Sequence, residues 1–84
     1  MRGEDMLSYC ENDIYFLSMN MVFGGDCEIR LCKKIDENHG QRVYTHLCRE
    51  RTKNKDFDIY YDIEEKIKNN TLTDAYVEEL NKAA

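Results

Sequence analysis

Apolar residues recur at every second position over long stretches of this chain, the period of a half-buried strand. A first strand is predicted from about Asn12 to Phe23, and the Gly24-Gly25-Asp26 turn after it supplies the positive φ that a tight hairpin needs. With a three-residue loop, Phe23 pairs with Cys27, Met21 with Ile29, Met19 with Leu31 and Tyr15 with Ile35. A second turn at Glu37-Asn38-His39-Gly40-Gln41 sets Asp36 opposite Arg42, Ile35 opposite Val43 and Leu31 opposite Leu47. The apolar members of these pairs, with Leu17, then share one sheet face. A slip of one residue would send every one of them to the other face, so the pattern constrains the register.

A third turn around Lys53-Asn54-Lys55 leads into Asp56 to Tyr61, where Phe57, Ile59 and Tyr61 alternate with Asp56, Asp58 and Tyr60. A fourth strand is expected here. The rival is a helix with Tyr60, Ile63 and Ile67 on one face. The strand is preferred because Asp-Phe-Asp-Ile makes a poor first helical turn. Asp62 with Glu65 then reads as a capping box opening a helix that carries Ile63 and Ile67, and Asn69-Asn70 ends it. Thr71 with Asp74 opens a second helix bearing Leu72, Ala75, Tyr76, Leu80 and Ala83 on one side.

The expected fold is α+β: a four-stranded antiparallel β-meander with one face covered by two C-terminal helices, in a single domain spanning 1–84. Residues 1–11 fall outside the register and are expected to be a flexible or loosely packed N-terminal segment.

Composition changes this picture little. A hydrophobic fraction of 42% with six tyrosines marks a folded domain despite 35% charged residues. A chain of this size buries roughly 60 to 65% of its unfolded surface, so the core is modest. No apolar run approaches the ~18 residues that cross a bilayer, and the opening residues mix Arg2, Glu4 and Asp5 rather than forming a signal peptide. A cytoplasmic location without membrane association is expected, with Cys10, Cys27, Cys32 and Cys48 reduced. The absence of proline and the wealth of Asn, Lys, Ile and Tyr suggest an AT-rich coding sequence, as in a low-GC bacterium or a virus.

Charge is distributed unevenly. The net of −5 divides into −4 for residues 1–26, +4 for residues 27–55 and −5 for residues 56–84. Such asymmetry bears on partners and association rates.

The acids of the last third fall partly where helix caps want them. The rest would form an acidic ridge along strand four and the first helix. Asp56, Asp58, Tyr60, Asp62, Glu64, Glu65, Asp74 and Glu78 are the expected partner-binding residues. Carboxylates along a rigid surface can imitate nucleic-acid phosphates and occupy a basic groove on another protein. In size and charge the chain resembles phage- or plasmid-encoded inhibitors such as anti-CRISPR and anti-restriction proteins, although it matches no family motif. The expected partner is a larger protein with a basic surface, such as a CRISPR or restriction nuclease complex.

The alternative is an open sheet face on which Phe16, Arg30, Lys34, Tyr44 and His46 interleave aromatic and basic side chains, as on platforms that stack bases. Net acidity makes nucleic acid the weaker expectation. An accessory subunit of a larger complex would use the same docking surface, and a homodimer through an edge strand is a further alternative. Cys32, His46 and Cys48 are expected close together, but no Cys-x(2–4)-Cys knuckle holds two thiols on one side, so packing cysteines are expected, with no metal and no cofactor. No nucleophile-base pair or paired carboxylates in a cleft are visible, which points away from an enzyme.

Overall fold

The computed structural model describes residues 6–83. Strands β1 (Met6–Glu11), β2 (Tyr15–Met21), β3 (Cys27–Lys34) and β4 (Gly40–Cys48) pair antiparallel in sequence order. Helices α1 (Lys53–Lys68) and α2 (Asp74–Ala83) follow and cover one face of the sheet. The expected α+β meander with two C-terminal helices is therefore present, but two of its elements differ from those the sequence suggested.

The first difference is at the N-terminus. Residues 6–11, expected to be loosely packed, form edge strand β1, while residues 1–5 lie outside the described residues. Asn12 accounts for this. Its Oδ1 accepts hydrogen bonds from the backbone N–H of Ile14 and Tyr15, each at 2.8 Å, closing a turn just where a strand was expected to begin. Its Nδ2 donates to the Ile67 carbonyl at 3.3 Å, tying the hairpin to the end of α1.

The second difference is at residues 56–61, which belong to α1 rather than to a fourth strand. Tyr60, Ile63 and Ile67, spaced three and four apart, form its buried face. Strand alternation had grouped Tyr60 with the solvent-facing aspartates. In fact it is 1% exposed, and its hydroxyl lies 2.7 Å from Ser8 Oγ on β1. The helix also begins three residues earlier than Asp56, at Lys53, so Asp-Phe-Asp-Ile is not its first turn, and packing of the helical face outweighs the strand-like alternation. Asp62 and Glu65 consequently lie mid-helix and cap nothing.

The end of α1 is as expected. Asn70 takes a left-handed φ of 58°, Thr71 N–H reaches the Lys66 carbonyl at 2.8 Å and Asn70 N–H the Ile67 carbonyl at 3.1 Å, a Schellman arrangement. Helix α2 is capped by Thr73, whose Oγ1 accepts from Tyr76 N–H at 3.2 Å, rather than by Thr71. Its buried residue is Val77, and Ala75 is exposed.

Register shifts complete the picture. In the first hairpin Met21 pairs with Cys27, Met19 with Ile29 and Leu17 with Leu31, two residues from expectation, so the faces are preserved. Phe23 moves out into a turn, where it is 99% exposed, and Gly24 and Gly25 take φ of 85° and 86°.

In the second hairpin Leu31 pairs with Tyr44 but Cys32 with Arg42, leaving Val43 as an extra bulged residue. Ile35 stays in the loop. Beyond the bulge the faces of β4 are inverted relative to expectation: Tyr44 and Cys48 are buried under the helices and Leu47 faces outward at 41% exposure. The core unites Tyr15, Leu17, Met19, Ile29 and Leu31 with Tyr44, Tyr60, Ile63, Ile67, Leu72 and Val77.

The helical reading of α1 has a simple test. In urea denaturation, Tyr60→Ala is expected to cost about 3–5 kcal/mol, as for other buried aromatics, while Tyr61→Ala costs under about 1 kcal/mol. A strand at 56–61 with Tyr61 inward would reverse the order.

Candidate functional site

Three surfaces compete for a functional role: the outer face of α1, the open sheet face, and the junction where the inverted end of β4 meets the start of α1.

On α1, residues 58, 62 and 65 recur at helical spacing and point away from the sheet. Asp58, Asp62 and Glu65 are exposed, with Tyr61 among them at 54% exposure. Among the described residues none of these three acids makes an ion pair. The other expected partner-binding residues divide differently. Glu64 is half-buried and faces Lys68 at 3.7 Å, and Glu78 is exposed on α2.

Asp74 accepts from the Tyr15 hydroxyl and from Lys33 Nζ, the latter at 2.8 Å. Lys33 first, then Tyr15, holds its carboxyl below the usual range. Burial and the Asp74 contact push Tyr15 up to about 12. Tyr60 is in the core. The expected ridge of eight residues is thus a stripe of three acids on α1 with Glu78 apart from it, while Asp56 is engaged by His46 and Thr52 and Asp74 by Lys33 and Tyr15.

The open sheet face carries only part of the aromatic and basic set. Phe16, Arg30 and Lys34 lie on it, together with Tyr9, whose ring stacks on Phe16 at a centroid distance of 5.6 Å. The bulge moves Tyr44 and His46 to the opposite, helix-covered face, so the five residues do not form one platform. Both cations that remain have carboxylate partners: Arg30 pairs with Glu28 on its own strand, and Lys34 with Glu11. A hollow of about 420 Å³ at one end of this face is lined by Phe16, Cys32, Lys34 and the loop at Asp36 to Gly40. In that loop His39 Nδ1 lies 2.9 Å from Asp36 Oδ1.

The third surface was missed in part by the sequence reading. The bulge separates Cys32 from His46 and Cys48, and the third group near them is Asp56, from the first turn of α1. One potential ligand atom from each of His46, Cys48 and Asp56 lies within 4.8 Å of the others. His46 Nε2 is 3.0 Å from Asp56 Oδ1, and its Nδ1 is 3.5 Å from the Tyr44 hydroxyl. Asp56 Oδ2 accepts from Thr52 Oγ1 at 2.9 Å.

The His46 contact, chiefly, keeps the Asp56 carboxyl below its usual range. Cys48 pairs across the sheet with Cys27, and burial, with that thiol contact, pushes it up to about 12. Only the recurrence of His46 and Cys48 two residues apart on a strand hinted at this cluster. The carboxylate comes from an element that had been assigned the wrong structure.

A cysteine, a histidine and a carboxylate are also the parts of a nucleophilic triad, but their arrangement here is not that of one. Both imidazole nitrogens face other partners, and the thiol is buried and held neutral, the reverse of an activated thiolate.

No protein-family model matches this sequence, and comparison with curated proteins and with solved structures likewise finds no match. Function has to be read from the chain's own surfaces. No helix among the described residues is long and apolar enough to cross a membrane.

The His46–Asp56 and Lys33–Asp74 contacts make the acid limb of stability predictable. Both carboxyls sit below the ordinary value of 3.8, so the folded state binds fewer protons than the unfolded one. Their stabilisation is complete above that value and is lost as pH falls through it and below. Asp56→Asn and Asp74→Asn are each expected to lower stability at neutral pH and to flatten its decline between about pH 5 and pH 2 in chemical denaturation series. An unchanged decline in both variants would contradict the assignment.

Proposed function

We propose that this chain is a non-catalytic protein-binding domain that docks the outer face of α1 onto a basic surface of a larger protein. Its finer role, on this reading, is inhibition of a nucleic-acid-handling enzyme in a cytoplasm, as anti-CRISPR and anti-restriction proteins act. The observation that carries it is the stripe of Asp58, Asp62 and Glu65, exposed and without cationic partners among the described residues. Held on a helix, Asp58 and Asp62 are separated by about 6 Å along the axis, a rigid charge array that loses little entropy on binding. Tyr61 between them supplies an apolar contact with a polar tip, a residue type enriched at interfaces.

The second reading, a platform for single-stranded nucleic acid on the open sheet face, has the Tyr9–Phe16 stack in its favour. It needs cations free for phosphates, and Arg30 and Lys34 already face Glu28 and Glu11. The acidic docking face is preferred for that reason. Pairing with a second copy would fall to an edge of the sheet, and the edges are β1 and β4. On β4 the Val43 carbonyl is already met by Asn81 Nδ2 at 2.9 Å, which leaves β1 the more available edge.

The test is capture of partners from nuclease-treated host lysate, followed by kinetics with a charge-reversed variant. Asp58→Lys, Asp62→Lys and Glu65→Lys together are expected to slow association with the captured protein by about 10- to 1,000-fold while leaving cooperative unfolding intact. Unchanged association in the triple variant would contradict the acidic docking face. Recovery of nucleic acid alone would move the function to the sheet face.

A further inference from the structure

We propose that Cys27, His46, Cys48 and Asp56 form a binding site for a thiophilic divalent metal ion of the zinc class. This goes beyond the docking function and does not depend on it, since the four residues lie where β3 and β4 meet the start of α1.

Several observations carry the assignment. His46, Cys48 and Asp56 bring a nitrogen, a sulfur and an oxygen within 4.8 Å of one another. Tetrahedral zinc holds such atoms at about 2.0–2.3 Å, and so about 3.3–3.8 Å from each other. Small rotations of the side chains close the difference. Cys27 pairs directly across the sheet from Cys48 and lies outside this group of three, so its thiol must turn toward the ion to supply the fourth ligand. The donor set is the nitrogen and sulfur mixture that zinc favours over calcium or magnesium.

The groups behind the ligands are also in place. Asp56 has its second oxygen held by Thr52 Oγ1 at 2.9 Å, and His46 has its Nδ1 directed at the Tyr44 hydroxyl at 3.5 Å, leaving Nε2 as the ligand atom. An ordinary histidine–carboxylate pair explains the 3.0 Å contact between His46 and Asp56. It does not require the Cys48 thiol at the same point.

Access is open on one side only. Cys27 and Cys48 are 1% and 0% exposed, whereas the side chains of His46 and Asp56 are 26% and 19% exposed, so an ion would arrive past the histidine and carboxylate. On binding, each thiol releases its proton to solvent as the sulfur–metal bond forms. The proton that His46 Nε2 donates to Asp56 leaves to solvent, the ring carrying its remaining proton on Nδ1, so that the Nε2 lone pair and the freed Asp56 oxygen both turn to the metal. The cation balances charges that burial would otherwise penalise. In so small a domain it would also clamp the start of α1 to two strands.

The probe is cobalt(II), added to the reduced full chain. One ion per chain is expected, with a thiolate-to-cobalt charge-transfer band and the strong visible bands of four-coordination, both abolished by a stoichiometric equivalent of zinc. Zinc should raise the unfolding temperature, and a chelator should reverse the shift. His46→Gln and Asp56→Asn, at partly exposed positions, are expected to weaken zinc binding by at least about 100-fold with circular dichroism unchanged.

Cys27→Ala and Cys48→Ala should remove thiolate intensity from the cobalt spectrum. Where either fails to fold, the His46 and Asp56 variants still decide the matter. Cys32→Ala, on the other face, should bind fully. Absence of the charge-transfer band, unchanged affinity in both the His46 and Asp56 variants, or loss of binding in Cys32→Ala would overturn the proposal.

Discussion

The extra residue in β4 decides the chemistry of this molecule. Because side chains alternate along a strand, one bulged position at Val43 inverts everything that follows it. Without it, Leu47 would turn toward the helices, and Tyr44, His46 and Cys48 would lie on the open sheet. With it, Tyr44 pairs with Leu31 in the core, Cys48 meets Cys27, and His46 reaches the first turn of α1. The contact with Asp56 ties the first turn of α1 to β4, and Tyr60, Ile63 and Ile67 of that helix face the sheet.

The carboxylates of the two helices divide between internal contacts and the surface. Asp56 is tied to His46 and Thr52, and Asp74, at the start of α2, to Lys33 and Tyr15. The acids on the outer side of α1 have no such partners among the described residues, and a surface of like charge held on a rigid helix acts on its surroundings through its field. The same sequence segment thus supplies both the contact between helix and sheet and the exposed acidic stripe proposed above as a docking face. Tyr60 and Tyr61, adjacent in sequence, show the division: one is buried against Ser8, the other is half exposed between Asp58 and Asp62.

Much of the fold was legible because the strongest signals were local. Gly24 and Gly25 mark their turn, Asn69-Asn70 ends α1, and the parity of the first hairpin survives a two-residue change of register. What escaped depended on contacts between distant segments. The strand at residues 6–11 needs β2 beside it and Tyr60 beneath it. Residues 56–61 alternate well enough for a strand, and only the three-and-four spacing of Tyr60, Ile63 and Ile67 against the sheet selects the helix.

Val43 itself gives no sign that it is bulged, since bulges answer to sheet twist and packing rather than to a residue type. That one hidden feature dispersed the expected aromatic and basic platform and replaced Cys32 with Asp56 beside His46 and Cys48.

The most direct test of this arrangement is the labelling rate of each cysteine in the native, reduced, metal-free protein, read by peptide mass mapping. The bulged register predicts that Cys32 on the open face reacts readily while Cys27 and Cys48, both buried, stay protected until the chain unfolds. Labelling of Cys48 as fast as Cys32 would place it on the open face, and would contradict both the inversion of β4 and the junction built on it.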